Sequence, residues 1–335
     1  IAYIGGGIAQ GKGASSYDKS YAALTTQWWK DTFPEATINE VNIGLVNCDS
    51  YLAAHRITSE VISKNPDVVI IDTAAEDLDA IAFEAYESMI RVLLSTGSAP
   101  AVIPLVTTSK DYRDNAEEQA ALAFKLNLPV ISYAAVLESN ITSGTWSWAD
   151  VADVKETLFP SDSGHAFIAY LLTGYFGRVL SGINSSQYKD YVLTDSTSTK
   201  SRFTKASLVK PEQVPHAGED NALVPLMQNE NAVYTQGMCT TSGQEASFTV
   251  TGKNIGMFYF KTIDGECGQF DLYVDGEFVE TLDGDLSAVE GATYNYMDYI
   301  EIGKYDASGE HEIKLVMNKD SGADDFFVVA FAVSE

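Results

Sequence analysis

The sequence predicts an α/β domain built on a parallel sheet, followed by an all-β sandwich. Three observations lead there. Strands and helical stretches alternate through the first half, the composition changes after about Gly182, and from Ala232 onward short strands and turns dominate.

Ile1–Ile4 reads as a short apolar strand running into Gly5, Gly6 and Gly7, and Ser20–Phe33 has apolar residues at helical spacing. Val68–Asp72 is a continuous β-branched run, and Leu78–Leu94 a helix. Ala101–Val106 reads as a strand, Asn115–Lys125 as a helix, Val130–Tyr133 as a strand and Gly164–Leu180 as the last helix. Such alternation implies a parallel sheet covered by helices on both faces, with ligands gathering at the carboxyl ends of its strands. The loops after Ile4, Gly44, Asp72 and Val106 are therefore the candidate site loops.

Ile183–Glu219, with Pro211 and Pro215, reads as a connector with little regular structure. Strands are expected at Ala246–Val250, Gly256–Lys261, Phe270–Val274, Tyr299–Ile302, His311–Met317 and Phe326–Val333. Val274-Asp275-Gly276 and Leu282-Asp283-Gly284 are hairpin turn signals. The organisation is thus an α/β domain over 1–185, a connector over 186–224 and a β-sandwich over 225–335.

Composition narrows the partners. Of 335 residues, 47 are acidic and 21 basic, a net charge of −26. Nucleic acid and anionic membranes need a cationic face, so the balance opposes both. It suits neutral glycans, cations, basic partners, or solubility alone. No apolar run is long enough to span a membrane. Cys48, Cys239 and Cys267 form no CxxC or ligand cluster. Cys239 and Cys267 can pair in a secreted protein, and the odd count equally fits three free thiols. Ile1 already belongs to the first strand, so a signal peptide would lie outside the sequence.

Ile1-Ala-Tyr-Ile-Gly-Gly-Gly-Ile-Ala-Gln-Gly resembles the first block of the SGNH (GDSL-like) hydrolases, a strand followed by GGSIT-x-G. The resemblance continues through Ser20-Tyr-Ala-Ala-Leu, Trp28-Trp29-Lys30 and Phe33-Pro34. Asn42-Ile-Gly-Leu-Val-Asn-Cys-Asp-Ser50 is similar to NAGIGATGS, and Pro66-Asp-Val-Val-Ile-Ile-Asp-Thr-Ala-Ala-Glu-Asp77 to PDxVxVEFxxND. Glu156-Thr-Leu-Phe159-Pro160-Ser-Asp-Ser-Gly164-His165 resembles DxxHPxxxGH. The resemblance implies a three-layer α/β/α, flavodoxin-like sheet and a secreted bacterial esterase that deacylates carbohydrate. Behind the sheet, Phe248–Gly256, Leu272–Gly276 and Gly309–Ile313 resemble the jelly-roll-like sandwich that follows the SGNH domain in bacterial esterases.

The family's functional positions are changed here. Gly7 stands where the resemblance puts the nucleophilic serine, Asp49 where it puts a glycine that donates its N–H to the oxyanion, and Glu76 where it puts the donor asparagine. Phe159 holds the place of the base histidine and Glu156 that of its acid, while His165 matches a second histidine that is not the base. Gly5, Gly6, Gly11, Asn42, Gly44, Pro160 and Gly164 still match the scaffold. An engineered exchange would account for Gly7 alone; the several losses together imply natural loss of the chemistry.

The leading expectation is therefore a protein that is not an enzyme, a non-catalytic binding or adhesion module of a secreted, carbohydrate-associated bacterial protein. Its candidate ligand residues are Gly7, Asp49, Glu76, Trp146 and Phe159, and its partner a polysaccharide or another protein. The first alternative is an active esterase with a different residue set, or with Gly7 an engineered knockout. Asp49, Glu76 and Glu156, with Asp77 beside them in sequence, would then form an acid–base pair or hold Ca²⁺. The second is a structural spacer or protein-interaction module. Trp146, beside Thr145 and Ser147, suits an aromatic sugar platform or the core, where Trp148 is expected. Tyr294, Tyr296 and Tyr299 suit a glycan-facing strand or ordinary sheet surface. The glycines after Ile4 lack the Lys-Ser/Thr ending of a phosphate loop, and the sequons at Asn140 and Asn184 are weak signals.

Overall fold

The computed structural model describes residues 1–108, 116–152, 159–183, 190–193, 202–218, 223–229, 232–241, 244–289, 292, 294–318 and 325–335. The chain divides into two compact units, Ile1–Thr204 and Lys205–Glu335.

The first unit runs β1 (Ala2–Gly5), α1 (Gly7–Gln10), α2 (Tyr21–Thr32), β2 (Val41–Asn42), α3 (Ser50–Glu60), β3 (Val68–Asp72), α4 (Ala80–Leu94), β4 (Ala101–Val106), α5 (Ala116–Lys125), β5 (Ile131–Ser132), α6 (Tyr133–Thr142), α7 (Trp148–Val151) and α8 (Asp162–Gly182). The five strands are parallel, in the order β2-β1-β3-β4-β5. Val69, Ile70 and Ile71 have no exposed surface, as strands covered on both faces require. Helix α2 packs with α8, and α3 with α4. The strand order reverses at β1, which puts the topological switch point, where such sheets bind ligands, between the loops leaving β1 and its neighbours.

Local chemistry sets the helix starts. The side chains of Ser20, Asp49, Asp79 and Ser132 each accept a backbone N–H in the first turn of the helix that follows. At Gly5 a Cβ would lie 2.0 Å from the Asp72 carbonyl oxygen, so only glycine lets β1 leave the sheet beside β3.

The second unit contains β6 (Ser207–Val209), β7 (His216–Gly218), β8 (Leu223–Asn229), β9 (Ala232–Thr241), β10 (Glu245–Lys261), β11 (Gln269–Val274), β12 (Glu277–Asp283), β13 (Tyr296–Met317) and β14 (Asp325–Ser334). They pair antiparallel in the order β12-β11-β13-β10-β14-β9-β8, with β6 on β14 and β7 on β10. Strands β10 and β13 are long and shift register at Gly252/Asn254 and Ile255/Gly256. Phe248 meets Phe331 at 5.2 Å and Tyr259 meets Phe270 at 6.0 Å between ring centres, inside an apolar core.

Several details differ from the sequence reading. Two pairs of expected short strands are single long ones, β10 and β13, because a bulge bends a strand without ending it. The stretch read as a connector supplies β6 and β7. Asp275 and Gly276, at φ 50° and 84°, do make the tight β11–β12 turn. Leu282-Asp283-Gly284 does not reverse the chain. Gly284 instead donates to the Gly268 carbonyl and packs against Cys267, where a Cβ would lie 2.7 Å away. Cys48 and Cys267 are buried free thiols, and the side chain of Cys239 lies outside the described residues. No helix among the described residues is long and apolar enough to cross a membrane.

Candidate active site

The loop leaving β1 brings Gly6 and Gly7 under the loop leaving β3. There Glu76 Oε1 accepts the Gly7 N–H at 2.7 Å. The Glu76 carboxyl lies 2.0 Å from where a Gly6 Cβ would stand, so glycine at that position admits it. From the other side Phe159 covers Gly7, its Cε1 lying 2.4 Å from the position of a Cβ, with Val46 at 3.2 Å. Gly7, Glu76 and Phe159 thus converge as the sequence expected. Phe159 fills the volume in which a serine side chain would stand, which argues against a single engineered exchange at Gly7.

Asp49 is placed by a structural duty. It caps α3, its Oδ1 accepting the Leu52 N–H at 2.9 Å, where a negative charge also favours the helix N-terminus. Its charge contributes to holding the Glu76 proton. Glu156 lies outside the described residues, as does the sequon asparagine Asn184. Among the described residues no three His, Cys, Asp or Glu side chains group as metal ligands. His165 is buried on α8. Its Nδ1 accepts the Tyr21 N–H at 3.3 Å, which leaves Nε2–H to donate to the Lys12 carbonyl at 2.9 Å. Burial holds its pKa below the usual value, and it serves as a neutral strut.

Trp146 is half-buried and meets Phe167 edge-on at 4.8 Å. Trp148 opens α7 half-buried rather than in the core. Tyr294 and Tyr296 make an edge contact at 6.3 Å, and Tyr299 packs on Phe258. Asn140 is tied to the Val136 carbonyl within α6.

A buried network that sequence reasoning missed stands beside Glu76. Ser50 donates its N–H and its hydroxyl to the two oxygens of Asp77, each at 2.7 Å. Thr73 and Gln119 also donate to Asp77 Oδ2, at 3.1 and 2.6 Å. The signal was present as alternating Ser, Thr and Asp in two loops, but which of them meet depends on strand order. Asp72, at the end of β3, is fully buried and accepts from Thr107. Burial raises Asp72 to about 7 and Asp77 to about 6, each against the pull of its hydrogen bonds. Glu76 is raised as well, by burial first, against the pull of the Gly7 N–H and with the charges of Asp72, Asp77 and Asp49 adding to the shift.

No family model matches the sequence, and neither does any curated protein. Solved structures do. A two-domain esterase (CEX) active on acetylated mannans, co-crystallized with mannopentaose, matches with a TM-score of 0.83 at 22% identity. The match covers all of this chain and 90% of that one. A second structure of such an esterase matches with a TM-score of 0.85 at 21% identity, over 100% and 91% of the two chains. The chain shares the two-domain fold of these esterases, a parallel-sheet α/β unit followed by a β-sandwich. The comparison corrects the expectation of a non-catalytic binding or adhesion module that is not an enzyme. The architecture matched from end to end is that of esterases active on carbohydrate, and it favours the enzyme alternative.

Proposed function

We propose that the protein is a carbohydrate esterase whose reacting group is a carboxylate rather than a serine. The observation that carries this reading is Glu76, a half-buried carboxyl of raised pKa placed on the Gly7 N–H at the switch point of the sheet. A base of raised pKa is the better proton acceptor once ionised. In the proposed reaction Glu76 takes a proton from water as the water oxygen bonds to the acyl carbon. The Gly7 N–H then turns from Glu76 to the carbonyl oxygen, where negative charge develops. When the ester C–O bond breaks, Glu76 returns the proton to the leaving sugar oxygen, giving free carboxylic acid and a sugar hydroxyl. Val46 and Phe159 close the other side of Gly7, so in this reading the Phe159 ring swings aside to admit a short acyl group.

The fold neighbours' activity on acetylated mannans supports an acetylated polysaccharide as substrate. A polymer of that kind places the work outside the cell. The test is acetate release from acetylated mannan and acetylated xylan. The parent should release acetate with a rate that rises as Glu76 ionises, and Glu76→Gln should lose about 100-fold or more. The glutamine keeps the oxygen that accepts from Gly7. No acetate above buffer from the parent, or full activity in Glu76→Gln, overturns the reading.

A further inference from the structure

We propose that the face of α8 carrying Phe167 and Tyr170, with Trp146 beside it, is a binding platform for a neutral pyranose chain. The proposal rests on the carbohydrate reading above for its ligand class and on separate residues for its site.

Tyr170 is 68% exposed, in a helix that buries the face carrying His165, Ile168, Ala169 and Leu172. Its ring stacks on Phe167 at 6.0 Å and 23°, while Trp146 stands against Phe167 at 4.8 Å and 89°. Buried Tyr133 backs Phe167 at 6.3 Å. The result is a floor and a wall of aromatic surface. An amphipathic ring such as a pyranose, apolar on its faces and hydroxylated at its edges, suits that corner.

The wall is held in place before any ligand arrives. Thr145 and Trp146 both donate their N–H to the Asn140 carbonyl, at 2.9 and 3.1 Å. Asp150 accepts the N–H and the hydroxyl of Ser147, at 2.7 and 2.9 Å. Such pre-ordering lowers the entropic cost of binding. Exposed hydroxyls of Ser143, Thr145 and Ser147 flank Trp146 and suit sugar edges.

The position fits the occupant. Ser163, Ala166, Phe167 and Tyr170 share one face of α8 at helical spacing, and the helix begins just after Phe159, which covers Gly7. From Asp162 to Tyr170 is about 12 Å along the axis. A chain lying on this face therefore continues toward the esterase site. With 47 acidic residues against 21 basic, the protein repels an anionic polymer, and the carbohydrate reading above supplies the neutral one.

The experiment is titration of the full chain with mannopentaose, followed by calorimetry and by fluorescence of the tryptophans. Polygalacturonate oligomers serve as the charged probe and Phe124→Ala as the control, since Phe124 is a 70% exposed aromatic on α5. The parent and Phe124→Ala should bind mannopentaose alike. Tyr170→Ala should bind about tenfold more weakly, as should Trp146→Ala. Tyr170→Ala binding as tightly as the parent, a parent that does not bind, or equal binding of polygalacturonate overturns the platform. So does a dimer that dissociates in Tyr170→Ala, which would assign the face to a second copy. Acetate release with and without Glu76→Gln is read separately. Binding lost at Tyr170 without any esterase activity would sink the reaction and leave the platform.

Discussion

The two units bury different things. In the first, Asp49, Ser50, Asp72, Thr73, Asp77, Glu87, Thr107, Gln119 and His165 are among the buried polar side chains. In the second, the described ones are Asn254, Thr262 and Ser334, set around a core of Phe248, Tyr259, Phe270, Phe326 and Phe331. Burying ionisable groups costs stability unless they are hydrogen-bonded, and proteins tolerate that cost where chemistry needs it. On the esterase reading proposed above, the contrast puts the reacting group in the sheet unit and gives the sandwich core a packing role.

The largest expected effect breaks the sandwich side of the comparison. Phe270→Ala removes a ring that touches Tyr259 and Phe326, and should destabilise the second unit by about 3–5 kcal/mol. All four tryptophans, Trp28, Trp29, Trp146 and Trp148, lie in the first unit, so their fluorescence follows that unit's unfolding. Calorimetry should show a transition without a tryptophan signal moving down in temperature. An unchanged thermogram would mean that this core is looser than its contacts imply.

A smaller effect tests how tightly the site is filled. Gly7→Ser must push Phe159 or Val46 aside and should cost about 1–3 kcal/mol. The double variant Gly7→Ser/Phe159→Ala should relieve part of the strain at position 7. If Gly7→Ser melts with the parent, the volume beside Gly7 is free, and the case against a simple exchange there fails.

The sequence showed four of the five strands of the first unit within a residue or two because buried parallel strands are dense apolar runs, as at Val68–Asp72, and it missed β2, a two-residue half-buried strand with no such run. The family resemblance also grouped Gly7, Glu76 and Phe159, and the structure brings these three together. It missed the duty of Asp49, which looks like an intruder in a glycine's place but is a helix cap. The Asp77 network was hidden because two of its donors, Ser50 and Gln119, come from 27 and 42 positions away. Strand length in the sandwich was illegible for a different reason. The bulges near Gly252 and Ile255 interrupt the alternation without interrupting the strand. The step from missing family residues to missing activity was the weakest, because side-chain losses at named positions say nothing of what another carboxylate can do.

The smallest effect sharpens the polar side of the comparison. Asp72 has its pKa raised by burial from 3.8 to about 7, and Asp77 and Glu76 move in the same direction. Below about pH 4 the carboxyl is protonated in both folded and unfolded chains, and its contribution to stability is fully present. As pH rises toward 7 the unfolded chain releases this proton while the folded one keeps it, so stability falls across that window. Buried histidines pull the other way. His55 is lowered to about 4 and His165 is lowered too, so both favour the folded state as pH rises toward 6.5. The parent's melting curve therefore mixes two signs, and the Asp72→Asn variant separates them. The asparagine oxygen still accepts from Thr107, and the titration is gone. Followed by tryptophan fluorescence, the two proteins should melt within a degree or so of each other near pH 4. The variant should gain about 2–4 °C by pH 7.5, a modest shift because Glu76 and Asp77 still titrate beside it. A difference that stays constant from pH 4 to 7.5 would mean that Asp72 is ionised throughout, and that water or a counter-charge reaches the end of β3.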